Sequence, residues 1–371
     1  MMWHNVIRMR TIVAAVLVVL ISPAAPAKTR ATRSTHVTPV AAQQWTLPQC
    51  QSTGLPWLRY VERDGTTHGS SVDRKYAESR HIHGLAVGAP ANTLWALDET
   101  GMIHRSGDAG CTWSEVTSVP EVLAEEAFAE FAARHADRVY VYTSAKPIAR
   151  PTSIVRLTGA TVETFAAPDP VGFIGIEVSP TDSLHLRAIG RSGTAWESKD
   201  GAATWKPVGA PKLFINFVRA AAFNPRDFDH ILIGTRSQGL WESRDGGRTW
   251  TLLAFAATEV EGVRFAPSNP DVVYAGVVPS SLRRSTDGGR TFKNIDVAVA
   301  GPYARLYYMD RLFAVNPRDP LAFASEGDRA VGVKITSPAG KVTSKAFENV
   351  GELIWAPNGL IYYTMTWAEL R

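Results

Sequence analysis

The stretch Ser243-Arg244-Asp245-Gly246-Gly247-Arg248-Thr249-Trp250 decides the fold, because the chain of 371 residues contains it in four versions. The other versions occupy residues 106–113, 198–205 and 285–292. All follow the pattern Ser-x-Asp-x-Gly-x-Thr-aromatic, except that Ala202 replaces the glycine in one of them. An internal repeat of this kind is typical of proteins built from a ring or stack of equivalent units.

Each version lies between two short strand-like runs, such as residues 240–242 and 250–253, and therefore predicts a hairpin turn. The aspartate can accept backbone N–H bonds, glycine supplies a positive φ, and the aromatic residue can pack between neighbouring sheets. This chemistry favours a structural role for the aspartates over a catalytic one. The residues assigned to the four turns are Ser106, Asp108, Gly110, Thr112 and Trp113; Ser198, Asp200, Thr204 and Trp205; Ser243, Asp245, Gly247, Thr249 and Trp250; and Ser285, Asp287, Gly289, Thr291 and Phe292.

These motifs resemble the Asp box, or BNR repeat, of sialidases, sortilin-type receptors, some plant-polysaccharide hydrolases and a photosystem II assembly factor. The resemblance implies a β-propeller, and the exported assembly factor is the most similar in layout. It implies no particular activity, because the box occurs in several functional classes.

A second repeat, independent of the box, joins two apolar strands by a polar turn, as in residues 223–227 and 265–269. Its equivalent positions are separated by 45, 45, 47, 41, 49 and 39 residues: Leu94, Val139, Leu184, Ile231, Val272, Leu321 and Leu360. A period of ~40–45 residues with four short strands per unit is typical of propeller blades. The sequence therefore predicts an all-β, seven-bladed β-propeller of four-stranded antiparallel blades, with boxes in the first, third, fourth and fifth.

The seventh unit ends at Arg371, with room for only two or three strands. Residues 44–47 mirror residues 249–252, where a box ends and its strand begins, but no box precedes them. We therefore predict a propeller over residues 45–371 in which an N-terminal strand near 45–48 completes the last blade, since closure removes exposed sheet edges. Whether residues 55–61 add a further strand is left open.

The N-terminus has the pattern of an export signal. Basic residues precede an apolar run from Thr11 to Ile21, and Ala25-Pro26-Ala27 offers a small-x-small cleavage site. We predict a signal peptide over residues 1–27, a flexible tether over 28–44, and an extracellular, periplasmic or cell-envelope location. No membrane span is expected in the mature chain, and an uncleaved anchor is the weaker alternative.

The two cysteines, Cys50 and Cys111, could pair in an oxidising compartment. However, Cys111 lies on a box turn, whereas Cys50 follows a strand expected to end on the opposite face. The pairing is therefore left open, with geometry arguing against it.

Composition excludes some classes of function. The formal charge of +4 falls to about +2 without Arg8 and Arg10, and no basic run interleaved with aromatics suggests nucleic-acid binding. The sequence contains no metal, phosphate-binding or Ser-His-Asp motif, so we expect no cofactor. We also expect a monomer.

Binding residues are expected on the loops that connect blades, because a rigid scaffold often carries its site on loops. The longest connections are residues 51–80 and 297–311. The candidates on or beside these connections are tyrosines, histidines and charged residues. The alternative role for the tyrosines is packing at the edge of the core, and the alternative for the histidines is an ordinary polar role. The candidate binding residues are His81, His83, Tyr303, Arg305, Tyr307, Tyr308 and Asp310.

The function we predict is that of a non-enzymatic scaffold that binds a protein or a glycan. The alternative is a glycoside hydrolase with two carboxylates across a cleft, and residues 81–85 resemble a segment of bacterial propellers classed as glycosyl hydrolases. A sialidase is disfavoured, since the chain lacks Arg-Ile-Pro and has seven units, not six. Catalytic residues remain unassigned; the carboxylates on connecting loops are Glu121, Glu125, Glu126, Glu261, Asp310 and Glu352.

Overall fold

The computed structural model describes much of the chain between residues 44 and 366, and its regular structure is β-strand throughout. The described ranges are 44–55, 57–62, 66–68, 84–98, 100–119, 128–144, 153–169, 171–212, 218–279, 281–295, 313–326, 333–337, 342–345 and 349–366. Within these ranges, no helix has the length and apolarity needed to cross a membrane.

The protein is a seven-bladed β-propeller of four-stranded antiparallel blades, which confirms the predicted fold class. Strands β1 and β2 are Leu58–Val61 and Thr67–His68. Blade 1 contains β3 to β6: Gly84–Val87, Leu94–Leu97, Met102–Ser106 and Ser114–Ser118. Blade 2 contains β7 to β10: Phe128–Ala132, Arg138–Ser144, Ser153–Thr158 and Thr161–Ala166. Blade 3 contains β11 to β14: Phe173–Val178, Leu186–Gly190, Ala195–Ser198 and Lys206–Gly209.

The remaining blades follow the same order along the chain. Blade 4 contains β15 to β18: Val218–Phe223, Ile231–Thr235, Leu240–Ser243 and Thr251–Ala254. Blade 5 contains β19 to β22: Val260–Ala266, Asn269–Val277, Ser281–Ser285 and Lys293–Asn294. Blade 6 contains β23 to β26: Phe313–Val315, Phe323–Glu326, Val333–Thr336 and Val342–Lys345. The last two strands, β27 and β28, are Asn349–Trp355 and Ile361–Thr366.

Blade 7 combines both ends of the chain in the order β2-β1-β28-β27. Tyr60 of β1 lies opposite Tyr362 of β28 in an antiparallel register. Closure by the N-terminal segment is therefore confirmed, but the predicted position near residues 45–48 is wrong, because residues 44–48 form no strand. The physical reason is burial: all four residues of β1 are buried, whereas Leu47 is 57% exposed and could not fill an inner position of a blade.

The hydrophobic core is divided into seven clusters, one at each junction between neighbouring blades in the described residues. Strand alternation produces this arrangement, since successive side chains point to opposite faces of a blade. On β4, Leu94 and Ala96 pack toward blade 7, whereas Trp95 and Leu97 pack toward blade 2. Both faces of each blade are thus covered, which explains why the inner strands are apolar on both sides.

Candidate functional site

The four repeated turns join the third and fourth strands of blades 1, 3, 4 and 5. In each, a backbone N–H donates to a carbonyl in or next to the turn between the first and second strands of the same blade, so both kinds of turn share one face of the ring. We call this the box face, and the opposite face, where the chain passes between blades, the connection face. The four bonds, of 2.8 to 2.9 Å, are Ala109 to Asn92, Gly201 to Leu184, Gly246 to Asp229 and Gly288 to Asp271.

Each box aspartate is bonded within its own turn. In blade 4, Ser243 Oγ donates to Asp245 Oδ1 at 2.9 Å, and Gly247 N donates to Ser243 Oγ at 2.8 Å. The Thr249 backbone N–H and hydroxyl donate to the two carboxylate oxygens of Asp245 at 2.8 and 2.6 Å. The corresponding bonds recur in the turns of blades 1, 3 and 5 at 2.5 to 2.9 Å.

These bonds hold the pKa of each box aspartate below its ordinary value. Burial alone would raise the pKa of Asp108, Asp200 and Asp245, but the bonds from the threonine and serine of each turn outweigh it. For Asp287, the bonds from Ser285 and Thr291 dominate and lower its pKa. A general acid at neutral pH needs the opposite shift, so the chemistry of these carboxylates suits a turn and not proton transfer.

The aromatic residue that ends each box packs into the core at the junction with the preceding blade. Trp250 contacts the cluster between blades 3 and 4, and its Nε1 donates to Gly247 O at 2.9 Å. Trp113, Trp205 and Phe292 occupy the same place in their own blades. Each turn is therefore anchored by a carboxylate on the outside and a ring on the inside.

Neighbouring blades are also joined at the box face by side chains at one equivalent position of the second strand. Tyr140 and Tyr274 donate to the carbonyls of Ser183 and Pro320 in the following blade, at 2.7 and 2.8 Å. Tyr362 of blade 7 donates to Ala109 O of blade 1 at 2.8 Å. These bonds commit much of the described box face to holding the ring together.

The segment before β1 closes the ring at the junction of blades 7 and 1. Thr46 N donates to Asn92 Oδ1 at 2.8 Å in blade 1, and Asn358 Nδ2 of blade 7 donates to Thr46 O at 3.1 Å. Cys50 and Cys111 form a disulfide with a Cα–Cα distance of 5.6 Å. The argument against this pair was wrong, because residues 44–54 are not a strand and pass beside the blade 1 box turn.

The described part of the connection face contains a compact polar group between blades 2 and 3. The fully buried Asp169 accepts bonds from Ser192 Oγ at 2.6 Å and from Val171 N at 3.1 Å. A Cβ at Gly190 would lie 1.8 Å from Asp169 Oδ2, so glycine is required there. Nothing in the sequence distinguished Asp169 from other loop acids, because its side-chain partner Ser192 is 23 residues away.

A second polar pair on this face links blades 4 and 5. Arg219 Nε donates to Glu259 Oε1 at 3.0 Å, from a position where the register of β15 shifts between Val218 and Ala220. Such irregularities redirect a side chain at a sheet edge. Asp169 and Glu259 therefore act as hydrogen-bond acceptors within the scaffold.

All seven candidate binding residues, from His81 to Asp310, lie outside the described residues. Glu121, Glu125 and Glu126 also lie outside them. Glu261 and Glu352 are described, and both are buried on inner strands of blades 5 and 7, with blade 6 between them. Among the described residues, no three His, Cys, Asp or Glu side chains are grouped so that they could hold a metal ion.

Fold and site together define a closed seven-bladed propeller whose box face is bonded internally. No protein-family profile matches the chain. The Dispase autolysis-inducing protein of Streptomyces mobaraensis is 27% identical over 166 residues, which are 44% of this chain and 41% of that protein. The match thus spans less than half the length of either protein.

Solved propellers share the fold. YCF48 from Cyanidioschyzon merolae has a TM-score of 0.57 at 13% identity, covering 77% of this chain and 96% of that chain. A structure of YCF48 bound to D1 peptide has a TM-score of 0.53 at 12% identity, covering 87% and 100%. The GH74 enzyme of Niastella koreensis has a TM-score of 0.57 at 13% identity, covering 78% of this chain and 51% of the enzyme. At these identities the likeness establishes the fold alone.

Proposed function

We propose that the protein is an exported, non-enzymatic propeller that binds a protein partner through its connection face. The observation that carries this proposal is the asymmetry of the ring. On the box face, the repeated carboxylates accept bonds from the serine and threonine of their own turns, and tyrosine hydroxyls donate to carbonyls of the following blade. The long segments that connect blades in the sequence, such as residues 297–311, belong by chain order to the connection face, where a scaffold of this type places recognition residues.

One protein of similar fold and one of similar sequence support a protein partner. One propeller of this fold is seen with a bound peptide, and a partial relative is named for its effect on dispase. We also infer that the four turns are Asp boxes, since their repeated hydrogen bonds explain each motif position. In this proposal they are structural elements of the scaffold.

Export is part of the proposal. The sequence 1–27 has the pattern of a signal peptide, and the Cys50–Cys111 disulfide suits an oxidising compartment. A fusion of residues 1–44 to a reporter enzyme that is active only outside the cytoplasm would test this directly. An inactive reporter would contradict export.

The partner proposal is tested with the purified, oxidised protein and dispase as the first probe. We expect binding by biolayer interferometry and faster loss of intact dispase on gels. Replacing Tyr307 and Tyr308 by alanine should weaken binding at least tenfold, whereas Asp271→Ala on the box face should leave it unchanged. Binding that depends on Asp271 and not on the tyrosines would contradict the choice of face.

The alternative is a glycoside hydrolase, which the same preparation tests with a panel of glycosides and polysaccharides. Turnover of any of them, lost on replacing a connection-face carboxylate by its amide, would overturn the non-enzymatic proposal. The described glutamates Glu261 and Glu352 are the first two to replace, although their positions two blades apart do not favour a catalytic pair.

A further inference from the structure

A buried histidine lies at the junction of blades 4 and 5, at the end of the turn that joins β15 to β16. His230 is 3% exposed, and its Nε2 lies 2.9 Å from Glu242 Oε1 on β17. Its Nδ1 lies 2.9 Å from Asn224 Nδ2 at the start of the same turn. The ring also makes a T-shaped contact with Phe265 of blade 5, with 5.0 Å between the ring centroids. Both ring nitrogens are therefore engaged inside the protein.

The hydrogen bonds of Asn224 determine which ring nitrogen of His230 carries the proton. Asn224 Oδ1 accepts bonds from Arg226 N at 2.9 Å and from Asp227 N at 3.2 Å. Because backbone N–H groups only donate, the amide nitrogen of Asn224 must be the atom that faces the ring, and it too only donates. Nδ1 of His230 is thus an acceptor. The neutral ring carries its proton on Nε2 and donates it to Glu242.

A second proton on this ring would have no acceptor. It would bind Nδ1 and face the donor hydrogens of Asn224 Nδ2. Rotation of the amide would bring Oδ1 to the ring, but it would also turn the amide nitrogen toward the two backbone donors of the turn. Either arrangement leaves donors unsatisfied, which is costly in a buried site. Protonation therefore breaks hydrogen bonds that shape residues 224–230.

The charged groups of blade 4 do not reverse this preference. Burial lowers the pKa of His230, and Arg244, which pairs with Glu242 at 2.7 Å, lowers it further. Glu242 and Asp227 favour the protonated ring, but they do not outweigh burial and the arginine. The ring is therefore held in its neutral form.

Blade 5 contacts the ring through an uncharged residue, Phe265. The charged groups of blade 5 on the box face lie in or near its turns. Asp271 is exposed, Asp287 is bonded within its own box, and Arg290 donates to Asp287 O at 2.7 Å. The charge balance at the ring is thus set within blade 4.

The turn of residues 224–230 holds blade 4 against blade 5. Its Arg226 side chain donates to Ser268 O of blade 5, and its His230 ring packs against Phe265. Both contacts depend on the shape that Asn224 gives the turn. A change at the ring nitrogen can therefore reach the junction between the two blades.

Two other blades each contain one half of this arrangement. Blade 3 has His185, which lies 2.9 Å from Glu197, but Ser179 stands at the position of the asparagine. Blade 6 has Asn316 with the same two backbone bonds, at 2.8 and 3.2 Å, but Ala322 stands at the position of the histidine. In the described part of the chain, blade 4 alone combines both residues. The chain thus supplies its own controls.

We propose that His230 is a pH-sensitive latch at the junction of blades 4 and 5. Its neutral ring holds the turn of residues 224–230 through Asn224, and protonation at Nδ1 releases this turn from blade 5. The latch acts on the box face, so it stands or falls independently of the function proposed above.

The direction of the pH dependence follows from the neutral ring. The folded state binds the second proton less well than the unfolded chain, in which histidine has a pKa of about 6.5. The stabilisation by His230 should therefore be complete above about pH 6.5 and be lost as pH falls below it.

The first test is a titration of the full oxidised protein, labelled with ¹⁵N in its histidine rings, by NMR. At pH 7.5 we expect the proton of His230 on Nε2, in the signals that His230→Gln removes. Asn224→Ser, which recreates the serine of blade 3, should raise the pH at which the ring takes up its second proton by about one unit, the equivalent of one lost hydrogen bond. Asn316→Ser makes the same change on blade 6 and should leave the titration unchanged.

The second test measures release of the turn by hydrogen exchange with mass spectrometry. Protection of the Arg226 and Asp227 N–H groups should fall by about tenfold or more between pH 7.5 and 4.5, after correction for intrinsic exchange. His230→Gln cannot take up the proton, so its protection should not change with pH. The equivalent N–H groups beside Asn316 are the internal reference and should also stay unchanged.

Each contrary outcome overturns the proposal. A proton on Nδ1 at pH 7.5 would refute the hydrogen-bond assignment, and a ring that stays neutral down to pH 4.5 would show that no switch operates. Protonation of His230 without loss of protection at residues 226 and 227 would show that the turn does not depend on the ring. An equal loss in His230→Gln or in the blade 6 turn, or equal titration shifts in the two asparagine variants, would assign the effect to other groups.

Discussion

Asp245→Ala tests whether the box aspartates are structural. The change removes the acceptor of three bonds, from the Ser243 hydroxyl and from the backbone N–H and hydroxyl of Thr249. Ser243 is 1% exposed, so its unsatisfied hydroxyl costs about 1–2 kcal/mol, whereas the exposed Thr249 regains water and adds about 0.5 kcal/mol. We expect the free energy of unfolding to fall by about 2 kcal/mol.

The assay is urea unfolding followed by tryptophan fluorescence, together with calorimetry. With an unfolding entropy of about 2.1 cal/mol/K per residue and roughly 330 residues in the ring, 2 kcal/mol corresponds to about 3 °C in Tm. Asp245→Asn keeps one acceptor oxygen and should lose about half as much. Asp271→Ala, an exposed aspartate on the same face, is the control and should change stability by less than about 0.5 kcal/mol.

Two results would refute this reasoning. An unchanged urea midpoint for Asp245→Ala would show that the turn does not depend on its carboxylate. Loss of partner binding at an unchanged Tm would assign the aspartate to recognition.

Three further predictions concern the closure, the turn backbone and acid stability. Replacing Cys50 and Cys111 by serine should lower the free energy of unfolding by up to about 4 kcal/mol, because the disulfide closes a 61-residue separation; an unchanged calorimetric Tm would contradict this. Gly247→Ala should lower the free energy of unfolding by at least about 2 kcal/mol, because the φ of Gly247 is 91° and the new Cβ would lie 2.3 Å from the Cβ of Ala195. A urea midpoint equal to that of the wild type would contradict this prediction and show that the turn relaxes. Burial alone would raise the pKa of Asp98, but the bond from His104 and the bonds from nearby donors lower it to about 2. The ionised Asp98 should therefore contribute fully to stability above about pH 4 and lose this contribution as pH falls toward 2. The Tm values of the wild type and of Asp98→Asn, measured against pH, should converge in that range. A constant difference in Tm from pH 2 to 6 would contradict this prediction.

Local chemistry explains why the fold could be predicted from the sequence. Each box specifies its own turn through contacts within eight residues, and the repeat fixes the number of blades. Local and global preferences then agree, so the ring follows from pattern alone. The need to close the ring also predicted that the N-terminal segment completes blade 7.

Contacts between residues far apart in sequence were decided by the tertiary structure. Leu58–Val61 and not Trp45 completes blade 7, because the edge of β28 selects the segment that can be fully buried. The Cys50–Cys111 pair depends on the path of that same segment beside blade 1. The bond from Ser192 Oγ to the buried Asp169 likewise appears only in the folded ring, since the two residues are 23 positions apart along the chain. Sequence by itself thus determined the repeating unit, whereas the positions at which units meet depend on register and packing, which no local pattern records.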